Sequence, residues 1–412
     1  MIYFVILALL VVLSWQYDIL GKTEKKEFWY RLLLIIFILV AGLRYRLGGD
    51  TIVYLRIFHQ ETPYIWDLSF DDFSESGIEP LFYILNVLVK SFGGKFYVVQ
   101  LIQAFIVNGL VFSYIKKHSS YPFICLFFYS LWMYFFYNFE EMRASLSVAI
   151  CLYANDYILE KKWLKGYSLY FVGTMFHYST IILLLTPLLM FLKVNKTGGL
   201  ILVLTFIGGF FIRNELGDYL LLFEMDDPLS QKVTNYANSD VYFKKDFSLR
   251  SFFVSILPFL FYAYFSIMYL KNTKDDLHLM KLQPLLMLGM IFLFLSVSIQ
   301  IAYRFVHFYA IYIVLYFAFL FGELIKTTKL SKSLALFRAC VLYIPFFFIM
   351  TFNQRGKFVS NSDFGSSSER AARYYNFQKY YPYYSIIDRN LDEERENLYR
   401  SDGHYKAKEN EY

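Results

Sequence analysis

Long apolar stretches alternate with short polar connections along most of the chain. Several stretches reach the roughly 20 residues that a helix needs to cross the apolar core of a bilayer. The pattern therefore predicts an all-α fold, a polytopic integral membrane protein with about 11 transmembrane segments. We place these segments near residues 1–20, 29–47, 95–115, 121–138, 142–160, 167–192, 198–212, 251–270, 282–300, 303–322 and 334–352.

Lysines in the short connections predict the orientation, because basic loops stay on the cytoplasmic side. Lysine clusters at 22–26, 116–117 and 161–165 fall in alternate connections. The N-terminus is therefore expected outside the membrane. Residues 48–94 are expected on the same outer side.

The stretch 167–192 breaks the simple alternation. Later lysine clusters favour the inside only if this stretch returns to its own side. We interpret it as a bent hairpin interrupted between His177 and Pro187, and such broken helices line protein-buried or water-filled cavities. One long tilted helix is the alternative, and it would invert the orientation of everything downstream.

Residues 1–352 are predicted to form one membrane domain with two external parts. Residues 79–92 are too short to cross, so a short re-entrant helix is expected within the external region 48–94. The mixed-charge loop 213–250 is also expected outside. Residues 353–412 are predicted to form an external tyrosine-rich tail, partly disordered where charged residues dominate.

Composition excludes several classes of protein. The net charge is +6, but the basic residues are spread over short connections and indicate orientation, so no nucleic-acid partner is expected. The first 20 residues are apolar from Met1 without a basic region or cleavage site, which predicts a retained span. The three cysteines lie in apolar stretches and indicate neither a disulfide framework nor a zinc site.

The sequence lacks the common motifs of soluble enzymes. It contains no His-Glu-x-x-His, no Cys-x-x-Cys, no P-loop, no Gly-x-Ser-x-Gly and no Asp-x-Asp pair typical of metal-dependent sugar transferases. No cofactor and no metal site are therefore predicted.

Charged residues at the predicted outer ends of the spans are the candidate site. Arginine suits phosphate, because its planar guanidinium stays charged and binds oxygen pairs bidentately. Several arginines around one outer-leaflet cavity would suit a lipid-linked pyrophosphate. The residues that converge on this level are Arg44, Arg46 and Asp50 after the second span, Glu79 at the re-entrant segment, Arg143 at the fifth span, Arg304 at the tenth, and His177 in the broken segment.

Structural alternatives apply to the two arginines that begin spans. Arg143 follows Glu140 and Glu141 in a short turn, so an ion pair within the protein is an equal alternative to substrate binding. Arg304 stands among apolar neighbours in Gln-Ile-Ala-Tyr-Arg-Phe without a local partner, which favours a functional role.

Similar alternatives apply to the two candidate proton-transfer groups. His177 would be structural if its neutral ring were bonded to a helix carbonyl. Glu79 followed by Pro80 is typical of a helix start, because proline fits the first turn and the helix dipole favours an acid there. That interpretation does not exclude catalysis by Glu79.

The same residues resemble the EpsG family, a branch of the Wzy-like polymerases that assemble bacterial exopolysaccharide, capsule and O-antigen chains. The usual Arg-Gln-x-x-Ala of that family is here Arg143-Ala144-Ser145-Leu146-Ser147, without the glutamine. The elements that carry the resemblance are Gly42 to Arg46, Gly49 to Thr51 with Tyr54 and Phe58, Glu79 to Phe82 with Asn86, Arg143, Phe176 to Ser179, Tyr303 to Phe305, and Tyr381 to Ser385.

The resemblance implies a metal-independent membrane glycosyltransferase without a cofactor. Such an enzyme joins oligosaccharide repeat units carried on undecaprenyl diphosphate into a surface polysaccharide, at the outer face of the cytoplasmic membrane. Its partners would be the lipid-linked oligosaccharide and membrane lipid, with a chain-length regulator as a further option. The implied roles are diphosphate binding by Arg143 and Arg304, an outer rim of Arg44, Arg46 and Asp50, substrate contact by Tyr54, and proton transfer by His177, Glu79 or Asp50.

Two other functions stay open from the residues alone. A flippase for a lipid-linked sugar would use the arginines to escort phosphate, although alternating access calls for a site near the membrane midplane. An O-acyltransferase that decorates the polymer would use a deeply placed histidine as base, and His177 fits that description.

Overall fold

The computed structural model describes residues 2–45, 47–221, 277–299 and 301–327, together with Leu334, Phe337, Tyr383 and Ser385. These residues are helical apart from turns and connections, and they contain no named strand. An isolated antiparallel bridge joins the backbones of Arg44 and Ser385. The predicted all-α class is confirmed for this part of the chain.

Within each described range, the helices follow one another with short connections. The α-helices are α1 Ile2–Leu13, α2 Lys26–Gly42, α3 Gly49–Gln60, α4 Phe70–Glu75, α5 Pro80–Ser91, α6 Phe96–His118, α7 Pro122–Trp132, α8 Met142–Leu159, α9 Trp163–Phe176, α10 Lys196–Leu221, α11 Leu277–Lys281, α12 Gln283–Leu295 and α13 Ala302–Thr327. Two π-helical segments, Ser14–Ile19 and Phe136–Glu140, and the 3₁₀ helix Tyr178–Leu189 complete the set.

Three helical stretches in the described part are long and apolar enough to cross a membrane. They are Ile2–Ile19, Phe96–His118 and Ala302–Lys326. The total of about 11 spans and the re-entrance of α5 stay predictions. The predicted span 251–270, the tail 353–412 and the span 334–352 lie outside the described residues, apart from the four isolated positions named above.

Helical structure changes at His177, within the predicted interruption. The α-helix α9 ends at Phe176, and the His177 amide still donates to the carbonyl of Gly173 at 2.9 Å. The chain then tightens into the 3₁₀ helix, which contains Pro187. Proline has no N–H to continue an α-helix, so Pro187 prevents regular α-helix around its own position, but it lies too far along the chain to cause the change at His177. The return of this segment to its own side of the membrane stays a prediction.

The start of α5 agrees with the sequence pattern, whereas the end of α10 does not. Helix α5 begins at Pro80 with Glu79 as its N-cap, as the Glu-Pro pair predicts. Helix α10 continues to Leu221, whereas the pattern places the end of that span at residue 212 and a loop at 213–250. Charged residues end an apolar pattern, but arginine and glutamate are good helix formers and do not stop the helix itself. The rest of that predicted loop lies outside the described residues.

The chain divides into two compact units, and the first contains the candidate site. It comprises Met1–Tyr153, Phe171–Tyr178 and Ile344–Tyr412. Within it α2 packs along α6, and α1 packs against α7. Buried tyrosines tie these helices together, because the Tyr30 hydroxyl donates to the carbonyl of Phe112 at 2.7 Å.

Buried amides connect α6 to the elements beside it. Gln103 donates to the carbonyl of Tyr137 at 3.0 Å and to the hydroxyl of Ser145 at 2.9 Å. Asn108 donates to the side-chain oxygen of Asn138 at 2.7 Å. All five residues are buried, so these hydrogen bonds satisfy groups that would be costly to leave unpaired.

Gly48 allows the start of α3 to lie against the π-helical segment Phe136–Glu140. Its φ of +94° is in the region that favours glycine, and a Cβ there would come within 1.9 Å of the Phe139 carbonyl oxygen. Glycine at position 48 is therefore a requirement of this close approach.

The second unit comprises Ala154–Tyr170 and Ser179–Tyr343. Here α12 packs along α13, and α10 packs on α12. Asn155 links two buried tyrosines, since it donates to the Tyr312 hydroxyl at 3.0 Å and accepts from the Tyr170 hydroxyl at 2.5 Å.

Candidate active site

Glu79 is the centre of the candidate site. It is the N-cap residue of α5, where Pro80 occupies the first turn and the helix dipole favours a negative charge, although its side chain makes no capping hydrogen bond. Only 3% of its side chain is exposed. A buried carboxylate requires charged or hydrogen-bonding partners, so its neighbours decide what it does.

The Glu79 carboxylate joins two segments that lie far from it in the chain. Its Oε2 atom pairs with Nη1 of Arg143, and its Oε1 atom lies 2.9 Å from Nδ1 of His177. The backbone amide of Tyr178 also donates to Oε1, at 3.4 Å. One carboxylate therefore orients both the guanidinium and the imidazole.

Arg143 lies in the first turn of α8, and its side chain is held by Tyr54 and Glu79. Its Nε atom donates to the Tyr54 hydroxyl at 2.5 Å, and its guanidinium carbon lies 5.2 Å from the centre of the Tyr54 ring. The Tyr54 ring packs edge-on against Phe82 at 5.0 Å. A positive charge in the first turn of a helix is unfavourable for the helix dipole, and Glu79 offsets that cost. Of the Arg143 side chain, 22% is exposed.

His177 is oriented for proton transfer by the side chain it faces. Because an ionised carboxylate only accepts hydrogen bonds, Nδ1 of His177 must carry the proton that points to Glu79. In the neutral ring the lone pair then lies on Nε2, at the opposite edge. With 16% of the side chain exposed, the ring has limited access to the surface. This arrangement can supply a general base.

Glu79 is ionised over the whole physiological range. Burial by itself raises the pKa of the Glu79 carboxyl, but the hydrogen bond from His177 and the positive charge of Arg143 outweigh it and lower that pKa from 4.5 to about 2. Glu79 is therefore suited to orient its partners, and it is a poor proton acceptor.

Arg44 has a buried structural environment. Its side chain is fully buried, and its guanidinium donates to the carbonyls of Ala41 at 2.5 Å and Leu47 at 3.3 Å and to the Thr51 hydroxyl at 3.2 Å. The guanidinium also lies 5.1 Å from the centre of the Phe139 ring. These contacts join the end of α2 to the start of α3.

The remaining predicted residues have less detail. Arg46 lies outside the described residues, and at Asp50 the structure describes only the backbone, in the first turn of α3. Arg304 lies near the start of α13, half-buried, in the second unit. The structure thus brings together Glu79, Arg143 and His177 with Tyr54. The substrate contacts predicted for these residues and for the others stay predictions.

No group of three or more His, Cys, Asp or Glu side chains among the described residues is placed to hold a metal ion. The candidate site contains one carboxylate, one guanidinium and one imidazole, so its net charge is zero while the imidazole is neutral, and Arg143 supplies its positive charge.

A comparison with sequence profiles of protein families gives a match to the EpsG family over residues 27–362. The chain belongs to the EpsG family. It is accordingly a membrane protein of polysaccharide biosynthesis. Neither the curated proteins nor the solved structures compared with this EpsG-family chain give a match. Tyr54, Glu79, Arg143 and His177 all lie within the matched residues.

Sequence reasoning missed one participant in the site of this EpsG-family protein. The backbone amide of Tyr178 donates to Glu79, and its half-exposed ring lies beside His177 in the chain. Only its adjacency to His177 could have indicated this. Sequence reasoning also did not predict the pairing of Arg143 with Glu79, because the carboxylates next to Arg143 in the chain were the local candidates.

Proposed function

We propose that this EpsG-family chain polymerises oligosaccharide repeat units carried on undecaprenyl diphosphate, at the outer face of the cytoplasmic membrane. The observation that carries the proposal is the bridge from Glu79 to both Arg143 and His177. His177 can accept a proton and Arg143 can attract a diphosphate, and one buried carboxylate holds both side chains. Polymerisation needs these two functions at one place.

In the proposed reaction a terminal hydroxyl of one lipid-linked unit attacks the anomeric carbon of the growing chain. A glycosidic C–O bond forms, and the bond from that carbon to the lipid diphosphate breaks. The diphosphate leaves with the bonding electron pair, and the hydroxyl proton passes to Nε2 of His177. The products are the lengthened lipid-linked chain and undecaprenyl diphosphate.

Each group then has a distinct role. His177 acts as the base and must come within about 3 Å of the attacking hydroxyl. Glu79 keeps the imidazole in the tautomer with an unprotonated Nε2 and stabilises the positive charge that develops on it. Arg143, held in place by Tyr54 and Glu79, stabilises the departing diphosphate through its fixed guanidinium. No metal is required in this scheme.

The other predicted residues enter the proposal separately. Arg304 is proposed as a second arginine required for the lipid diphosphate. Arg46 and Asp50 are proposed for the outer rim of the site. For Arg44 we propose a positioning role, because its guanidinium is buried against main-chain carbonyls that define the entry to α3.

The test is the purified protein in lipid with one lipid-diphosphate-linked repeat unit. We expect a ladder of longer oligosaccharides on a gel, which His177→Ala and Arg143→Ala each remove. A matched control is Arg31→Ala, because Arg31 forms an exposed ion pair with Glu27 in α2. Movement of the lipid-linked unit between leaflets without a ladder would contradict the proposal and favour a flippase.

The pairing of Glu79 with His177 also suits acyl transfer, which keeps an O-acyltransferase as the second candidate. Such an enzyme would need an acyl donor and would leave the length of the glycan unchanged. Mass spectrometry of the reaction products distinguishes the two, because polymerisation adds whole repeat units and acylation adds only acyl groups.

A further inference from the structure

Two stacked aromatic rings stand at the opposite end of α5 from the candidate site. The rings of Tyr64 and Trp66 have centroids 5.0 Å apart and planes within 4° of parallel. Trp66 is 68% exposed and Tyr64 42% exposed. Because Tyr64 covers one face of the indole, the exposed part of Trp66 includes its opposite face.

The segment that bears these rings is fixed to the C-terminal end of α5. The amide of Ile65 donates to the Ser91 hydroxyl at 2.8 Å. The Lys90 ammonium donates to the carbonyl of Thr62 at 2.5 Å and to that of Phe58 at 3.1 Å. The side chains of two adjacent α5 residues therefore fix the segment by hydrogen bonds to its backbone. A ligand that bound the rings would not have to order a loose loop, which lowers the entropic cost of binding.

The charge around the rings distinguishes between two kinds of surface. Exposed tryptophan and tyrosine rings often lie at the membrane interface. Residues 61–75, however, contain five carboxylates and no lysine, arginine or histidine, and the one cation placed against these rings by the described structure is the Lys90 ammonium, 5.4 Å from the centre of the Tyr64 ring. Anionic lipid headgroups would repel such a segment. Carboxylates beside an aromatic ring suit a sugar, because they accept hydrogen bonds from hydroxyl groups while the ring packs against its apolar face.

We propose that Tyr64 and Trp66 form a carbohydrate subsite for the glycan of the substrate. Helix α5 runs from Glu79, in the candidate active site, to Ser91, which contacts the segment that bears the two rings. Twelve helical residues span about 18 Å, so several sugar residues of an extended chain fit between the two. The inference rests on the proposed function, because a polymerase must hold a glycan beyond the sugar that reacts.

The test measures binding of glycan separately from polymerisation. The full-length protein in discs of zwitterionic lipid is titrated calorimetrically with oligosaccharides of defined length, released from the surface polysaccharide of the native cells. Trp66→Ala should weaken binding by about two- to tenfold, and Trp66→Phe should keep most of it. Phe70→Ala is the matched control, because Phe70 is 95% exposed in the same segment and should not affect binding.

Unchanged binding by Trp66→Ala, or an equal loss with Phe70→Ala, would overturn the subsite. A second measurement uses brominated lipid and compares the fluorescence of the wild type with that of Trp66→Phe. Quenching of the Trp66 contribution would place the ring in lipid and overturn the proposal, whereas its persistence supports a ring in water.

The two proposals fail in different ways. If no ladder forms but oligosaccharide binding still depends on Trp66, polymerisation is wrong and the glycan subsite stands. If His177→Ala removes the ladder while Trp66→Ala changes neither binding nor chain length, polymerisation stands and the subsite is wrong.

Discussion

Oε1 of Glu79 lies 2.9 Å from Nδ1 of His177, although 98 positions separate the two residues in the chain. Residues so far apart meet only because α5 begins where the broken helix changes its type. The contact turns a histidine in an apolar segment into one with a defined tautomer. It also gives Glu79 the role of orienting another group, and this distinction can be measured.

His177→Ala should lower the initial rate of ladder formation by roughly 100-fold or more, as loss of a general base typically does. Glu79→Gln should lower it less, because the amide still approximates the shape of the carboxylate. In the His177→Ala background, Glu79→Gln should cause a smaller loss than in the wild type, since only its contact with Arg143 is then left to lose. Fully additive losses in the double variant would show that Glu79 acts independently of His177.

Arg143→Ala should abolish long chains while the protein stays in the membrane. Loss of a charge-assisted phosphate contact costs about 1.5–3 kcal/mol, or roughly tenfold or more in rate. Arg143→Lys should rescue poorly, because a point charge cannot reproduce a bidentate contact. A normal chain-length distribution in either variant contradicts the assignment, and Arg31→Ala should give the normal distribution.

Tyr54→Phe should reduce polymerisation by about two- to tenfold, because it removes the hydrogen-bond acceptor of Arg143 Nε but keeps the ring beneath the guanidinium. Tyr30→Phe is the control. It also removes a hydrogen bond of a buried tyrosine hydroxyl, but the partner of that hydroxyl is the Phe112 carbonyl and not Arg143. Both variants should lower the melting temperature by similar small amounts. Only Tyr54→Phe should change the rate, and equal rates for the two would contradict the positioning of Arg143 by Tyr54.

The ion pairs of Glu79 should make stability depend on acid pH. The pKa of Glu79 is about 2 in the folded protein and 4.5 at its ordinary value, so its stabilising contribution is complete above about pH 4.5. That contribution is lost as the pH falls towards about 2. The difference in melting temperature between the wild type and Glu79→Gln should therefore be constant near neutral pH and shrink below about pH 4.5.

Glu27→Gln supplies the control for this titration, because Glu27 forms exposed ion pairs with Arg31 and Lys116. Exposed pairs contribute little, so this change should alter the melting temperature only slightly at any pH. A Glu79 difference that stayed constant down to pH values near 2 would contradict the lowered pKa.

Gly48→Ala should strongly destabilise the protein, because its Cβ would collide with the Phe139 carbonyl oxygen. Gly93→Ala separates this collision from the cost of backbone conformation, since Gly93 has φ +72° and open space around the added Cβ. Gly93→Ala should cost about 1–2 kcal/mol, and Gly48→Ala clearly more. Equal melting temperatures for the two variants would contradict the close approach at Gly48.

Local signals in the sequence predicted much of the helical structure. The Glu-Pro pair predicted the start of α5, and the change at His177 falls within the predicted interruption. The start of α5 depends on backbone chemistry within a few residues, where proline acts directly. The number of spans and their orientation are defined relative to the lipid. They stay predictions from the hydropathy and charge of the sequence.

Pairings between distant segments could not be predicted in the same way. The sequence places Arg143 beside the carboxylates of Glu140 and Glu141, but its partner in the site is Glu79. Arg44 was grouped with the outer rim from its position at the end of a span, and its burial against carbonyls could be seen only in three dimensions. A charged residue near a span end has several partners within reach, and tertiary packing selects among them.

The amides of α6 determine more than their own hydrogen bonds. Apolar faces of two packed helices in lipid tolerate small shifts of one helix along the other. Buried amides do not, because their hydrogen bonds form at only one relative position. Gln103 binds Ser145, which lies two positions after Arg143 in α8. Sliding α8 by one turn, about 5.4 Å, would break that bond and carry the guanidinium away from Glu79. The position of the Arg143 guanidinium along α6 is thus set by neutral side chains.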